Sequence, residues 1–102
     1  MLRIEYSRRA ESDGDQIMDY YADKSEGYAR KLAGRIDRKI ALLASHPKMG
    51  RVRSDLSPGL RSVVVHPYVI VYSATTEVLQ VVRILHGARD IAAEFHEEEN
   101  EE

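Results

Sequence analysis

There is no cysteine in this 102-residue chain, so neither a disulfide framework nor thiolate chemistry is open to it. No apolar run approaches the roughly 18 residues that a bilayer span needs. Met1-Leu2-Arg3-Ile4-Glu5-Tyr6 alternates and is charged, which argues against a signal peptide there and makes the cytoplasm the expected location. His46, His66, His86 and His96 lack the short spacings of a metal site, so no metal and no cofactor is expected. No serine stands in a nucleophile context. No segment repeats another, and the length suits one domain with one core.

What is present is ordinary in bulk and uneven in detail. Hydrophobic residues make up 43% and charged residues 31%, as in a soluble globular protein. The net charge of -2 hides an asymmetry. Residues 94–102 hold six glutamates and no lysine or arginine, whereas residues 1–93 carry 15 basic against 11 acidic groups. Nine of the basic residues fall within residues 30–61, against Asp37 and Asp55. The bland account is a solvated helix face plus a solubilising tail. The functional account is a surface for an anionic partner, which the acidic tail could screen.

Leu2, Ile4 and Tyr6 alternate with Arg3 and Glu5, which marks a first strand. Ser7 stands where a helix N-cap belongs, and Ala10, Ile17, Met18 and Tyr21 follow at helical spacing to about Asp23. Gly14 weakens this helix by roughly 1 kcal/mol relative to alanine, for which close packing on a neighbouring helix would be the usual reason. Ser25 caps a second helix, where Tyr28, Leu32, Ile36, Ile40 and Leu43 form one stripe from about Glu26 to Ser45. His46-Pro47 ends it. The Pro- and Gly-containing stretch 47–59 reads as a loop. Strands follow at about 60–66, 68–74 and 77–86, and a short helix after Asp90.

The fold class is therefore α+β: an N-terminal strand, then an antiparallel two-helix hairpin packed on a C-terminal antiparallel sheet, in the order β-α-α-β-β-β with a short C-terminal helix. Residues 1–96 form the single domain, and residues 97–102 are expected to be a disordered acidic tail. Val63-Val64-Val65 and Val69-Ile70-Val71 run without alternation, so the sheet is apolar on both faces. Two helices cover only one face, and a partner chain is expected over the other. Arg83 lies within the apolar strand Val81-Val82-Arg83-Ile84-Leu85. A buried guanidinium without a partner is costly, so Arg83 must meet water, a carboxylate or a bound macromolecule.

Several pieces fall in a familiar order: Ala10-x-x-Asp13, Ile17-x-x-Tyr20, Leu43-x-x-x-Pro47-x-x-Gly50-Arg51, Gly59-Leu60-Arg61-Ser62, Tyr68-Val69-Ile70-Val71-Tyr72 and Val82-Arg83-Ile84-Leu85-His86-Gly87-Ala88-Arg89-Asp90. Together they make the chain resemble ParE, the toxin of ParD–ParE type II toxin–antitoxin modules, in the RelE/ParE superfamily. Gly14, where the family usually has leucine, and the acidic tail depart from its pattern. The resemblance implies a two-helix, antiparallel-sheet fold and a ParD-like antitoxin whose C-terminal segment wraps the toxin, in a heterotetramer or larger assembly. It also implies inhibition of DNA gyrase and arrest of growth. RelE-type relatives instead cut messenger RNA on the ribosome.

The RelE-type cleavage scheme needs cations for the phosphate and groups that move protons. By resemblance its positions fall on Arg61, Val63, Val69, Gly87 and Ala93, and only Arg61 keeps its chemistry. No catalytic residue is therefore assigned, although His86 could replace a general acid–base. The expected reading is a non-catalytic gyrase inhibitor. The alternatives are a ribosome-dependent mRNA endoribonuclease and a non-toxic partner-binding domain. Candidate contacts to antitoxin or target are Arg61, Tyr68, Tyr72, Arg83, His86 and Arg89, with a second surface at Lys48, Arg51 and Arg53. The structural alternative pairs Arg61 and Arg83 with Asp90 or Glu77. Neither membrane contact nor direct sequence-specific nucleic-acid binding is expected.

Overall fold

The computed structural model describes the backbone of residues 1–100 and the side chains of residues 1–96. The elements are β1 (Arg3–Tyr6), α1 (Arg8–Ala22), α2 (Glu26–Ser45), β2 (Arg51–Val52), β3 (Arg61–Val65), β4 (Tyr68–Ala74), β5 (Val78–His86) and α3 (Ile91–Asn100). Both helix starts follow their caps. The Ser7 hydroxyl accepts the Ala10 amide, and the Ser25 hydroxyl accepts the Tyr28 amide. The α2 stripe faces inward, with Leu32, Ile40 and Leu43 wholly buried. Each such side chain stabilises the fold by roughly 1.5–3 kcal/mol through removal from water.

The strands form one sheet in the order β1-β5-β4-β3-β2. The C-terminal strands are antiparallel neighbours, as their short connections require. β1 pairs with β5 in parallel, from Arg3 opposite Val78 to Tyr6 opposite Val81, so the sheet as a whole is mixed. Inside the expected 47–59 loop, Arg51 and Val52 add a fifth strand against Ser62 and Arg61. Gly14 has nothing near the position a Cβ would take, so close helix packing does not explain it. Gly59, at φ +84°, does need glycine's freedom.

The sheet divides the interior. On one face the helix hairpin packs over Val65, Tyr68, Ile70, Tyr72, Leu79, Val81 and Ile84. On the other, Val71 packs with Leu56, Leu60 and Phe95, supported by Val69, Val82, Ile91 and Ala92. This corrects the expected need for a partner over the second face. α3 and the 53–60 segment roof it, and the loop's isolated leucines supply the part that a count of helices leaves out. Val64, 63% exposed, stays outside that roof.

α3 carries the backbone as a helix beyond residue 96, to Asn100. For residues 97–100, then, the expected disorder is corrected at the level of the backbone. The same expectation for residues 101–102 falls outside the described residues. Among the described residues, no helix is long and apolar enough to cross a membrane.

Candidate functional site

β1 stops at Tyr6, which leaves the second half of β5 without a strand on that side. α1 takes over the edge. The Ser7 amide donates to the Val81 carbonyl (2.9 Å), and its hydroxyl donates to the Val82 carbonyl (2.7 Å). Two turns on, the Asp13 carboxylate accepts the Ile84 amide at 2.9 Å. It also accepts the Arg83 guanidinium twice, from Nε at 2.7 Å and Nη2 at 2.9 Å. Ala10, buried and small, lets the first turn of α1 lie this close. The Ala10-x-x-Asp13 motif thus acts as a substitute strand edge. Arg83 meets a carboxylate, and it is Asp13, not Asp90 or Glu77.

Beside this clamp runs a groove of about 730 Å³ between α1, β5 and the start of α3. Tyr20, Tyr21 and Tyr68 form one wall, and Arg9, His86 and Arg89 stand along the rest. The Tyr20 and Tyr21 rings meet edge to face at 4.9 Å, and Tyr21 contacts Tyr28 at 4.8 Å. These tyrosines do not fill the space between the helices, as the sequence suggested: Tyr20 is 57% exposed. The Tyr68 hydroxyl donates to that of Tyr21 at 3.4 Å. His86 stacks edge-on against Tyr68, and its Nδ1 accepts the Ala88 amide at 3.1 Å, which leaves the proton of the neutral ring on Nε2. Arg89 donates to Glu94 at 2.9 Å, and Asp90 caps α3 by accepting the Ala93 amide at 3.0 Å.

A second network fastens the 47–53 loop. The Tyr72 hydroxyl donates to the Pro47 carbonyl at 2.8 Å and accepts the Gly50 amide at 2.9 Å. Arg61 Nη1 donates to the carbonyls of Gly50 (2.8 Å) and Lys48 (3.1 Å). Arg53 makes a two-pronged pair with Asp55, at 3.0 and 2.9 Å. That contact, chiefly its hydrogen bonding, holds the Asp55 carboxyl below its ordinary range. Lys48 and Arg51 remain exposed.

Of the residues singled out from the sequence, the groove gathers Tyr68, Arg83, His86 and Arg89. Arg61 and Tyr72 lie elsewhere. Tyr72 is wholly buried and presents no surface to a partner, which corrects its candidacy as a contact. Asp13 was quoted only within a motif and given no role. An acidic residue on the sheet-facing side of a helix is a weak signal for it, because its arginine lies 70 positions away.

Burial pushes the Tyr68 and Tyr72 hydroxyls above the ordinary tyrosine value, with the Tyr21 contact adding to the rise at Tyr68. Below about pH 10 both native and unfolded chains hold these protons, so no stability is lost. Above it the unfolded chain ionises first, and stability falls as pH climbs toward the raised native values. An ultraviolet titration should show exposed tyrosines ionising near pH 10 and a later fraction that titrates only as the fold opens. A single sharp transition of all six tyrosines with no loss of structure would contradict this reading.

Fold and site together define a class. The chain shares its fold with a solved structure titled "Chromosomal ParDE TA system from P. aeruginosa", with a TM-score of 0.71, 24% identity, and coverage of 84% of this chain and 96% of that one. It is a small α+β toxin fold of the RelE/ParE superfamily. A family model described as the ParE toxin of the type II toxin-antitoxin system, parDE, matches residues 4–91. Toxin ParE3 of Caulobacter vibrioides is 34% identical over 99 residues, covering 93% of this chain and 96% of its own. Toxin RelE2 of the same organism is 35% identical over 89 residues, covering 87% and 99%. This chain belongs to the ParE toxin family and is a toxin of the type II toxin–antitoxin class.

Proposed function

We propose that this toxin acts by binding DNA gyrase without catalysis and is neutralised by a ParD-like antitoxin. The carrying observation is how the strand arginines are engaged. Arg83 grips Asp13 in a buried bidentate pair, and Arg61 holds two loop carbonyls. Val63 and Val69, at positions where the RelE-type scheme needs cations, cannot offset phosphate charge. A groove walled by tyrosines suits a polypeptide surface better than a phosphodiester in transit. The loop bearing Lys48, Arg51 and Arg53 supplies a second, cationic contact surface. Antitoxin binding is supported by the titles of related systems, which are two-component modules.

The ribonuclease reading has one specific point in its favour, the similarity to a relative named Toxin RelE2. One experiment separates the two. Purified toxin added to gyrase should abolish supercoiling or trap cleaved DNA–gyrase complexes, while messenger RNA on translating ribosomes stays intact. Undisturbed supercoiling at excess toxin, together with cut message, would transfer the chain to the ribonuclease reading.

A further inference from the structure

β2 covers β3 only at Arg61 and Ser62, so the outer edge of β3 lies open from Val63 to Val65. The direction of its peptide groups follows from the ladder. The Arg53 amide donates to the Leu60 carbonyl at 2.8 Å, so residues 60, 62 and 64 turn their N–H and C=O outward, and residues 61, 63 and 65 turn theirs to β4. Val64 therefore offers an outward donor and acceptor that no strand of this chain receives. Its side chain is 63% exposed, on the face opposite Val63 and Val65. Open, flat, apolar edges of this kind are hazards that folded proteins usually blunt with charge or cover.

The helix side of the same edge is strongly cationic. A trough of about 380 Å³ is lined by Arg35, Arg38, Lys39, Leu42, Val64 and neighbouring backbone, with no acidic side chain among them. Leu42 is 44% exposed there. Arg35 is fixed by donating to the His66 carbonyl at 3.0 Å. A strand added to this edge would place alternate side chains on opposite sides. One set would meet Arg35, Arg38 and Lys39, and the other would lie beside Val64.

We propose that the Val63–Val65 edge of β3 receives an extended antitoxin segment as an added strand, carboxylates toward Arg35, Arg38 and Lys39 and apolar side chains beside Val64. The site deepens the antitoxin reading above and rests on it. Main-chain hydrogen bonds at Val64 give affinity, and the alternation of acid and apolar residues gives register. The three cations speed encounter and make it salt-dependent.

Calorimetric titration of the full-length toxin with its ParD-like antitoxin tests this. Val64→Pro removes only the outward N–H and leaves the ladder to β4 intact. It should weaken binding about tenfold or more, the scale of one to two lost hydrogen bonds. Arg38→Glu/Lys39→Glu, on an exposed helix surface, should weaken it comparably at low salt and flatten the salt dependence. Val64→Thr should bind within about threefold of the parent, because it keeps the backbone donor and strand preference. Antitoxin should slow hydrogen exchange at the Val64 amide. Parent-like affinity in both the proline and the charge-reversed variants would overturn the proposal. So would a free toxin dimer that Val64→Pro dissociates, since the edge would then pair with itself. No binding by the parent toxin would instead defeat the antitoxin reading.

Discussion

Asp13→Ala should cost about 3–5 kcal/mol, the scale for removing one partner of a buried ion pair. The Arg83 and Asp13 side chains are 7% and 12% exposed. Alanine would strand a guanidinium inside the fold and remove the acceptor of the Ile84 amide in the same step. Against a total stability of about 5–15 kcal/mol, that is enough to depopulate the native state on warming. Asp13→Asn keeps an oxygen for the amide but loses the charge, and should cost less, about 1–3 kcal/mol. Asp13→Leu combined with Arg83→Met should recover part of the loss, because a well-packed apolar pair avoids the desolvation penalty. Urea denaturation of the three variants checks the ordering. If Asp13→Ala lay within 1 kcal/mol of the parent, the clamp would have to be judged decorative.

Gly50→Ala is expected to be the next most damaging single change, at about 2–4 kcal/mol. A Cβ there would run into the Tyr72 hydroxyl and lie 2.7 and 2.9 Å from the ring atoms Cε1 and Cζ. Tyr72 is wholly buried and cannot swing away. The clash would also pull the hydroxyl from the Pro47 carbonyl and the Gly50 amide. For a domain of this size each kcal/mol moves the melting temperature by about 4–8 °C, so a fall of ten degrees or more should appear in a thermal melt. Tyr72→Phe alone should cost about 1–3 kcal/mol. The double variant Gly50→Ala/Tyr72→Phe should be less damaged than the sum, because removing the hydroxyl makes room for the methyl. Strict additivity would mean that the two positions do not meet as described.

The sequence made the helices and the last three strands readable because their signals are local. Ser7, Ser25 and His46-Pro47 punctuate the helix hairpin, and the apolar runs after Gly59 leave little choice but strands. Long-range facts were hidden. Nothing near Arg3 announces that its neighbour will be Val78, and nothing near Arg83 points to Asp13. Leu56 and Leu60 carry no periodicity, so their roofing of the second face could not be counted, and a partner was expected in their place. For the candidate site the residue types were legible, but not their engagement. Arg61 and Tyr72 looked like contacts waiting for a partner and are ties to carbonyls of the 47–50 loop.

The parallel join of β1 to β5 sets a condition on how this toxin comes into being during translation. The strand at the front of the chain finds its neighbour only among residues 78–81, so a nascent chain that has released the helix hairpin still holds an unmated leading strand. Such distant pairings form late, since the loop between them must close before the contact repays it. The buried clamp of Asp13 on Arg83 waits for the same moment. A cell making this protein therefore has, for most of each round of synthesis, a harmless thread in the exit tunnel, and acquires the poison all at once near the finish.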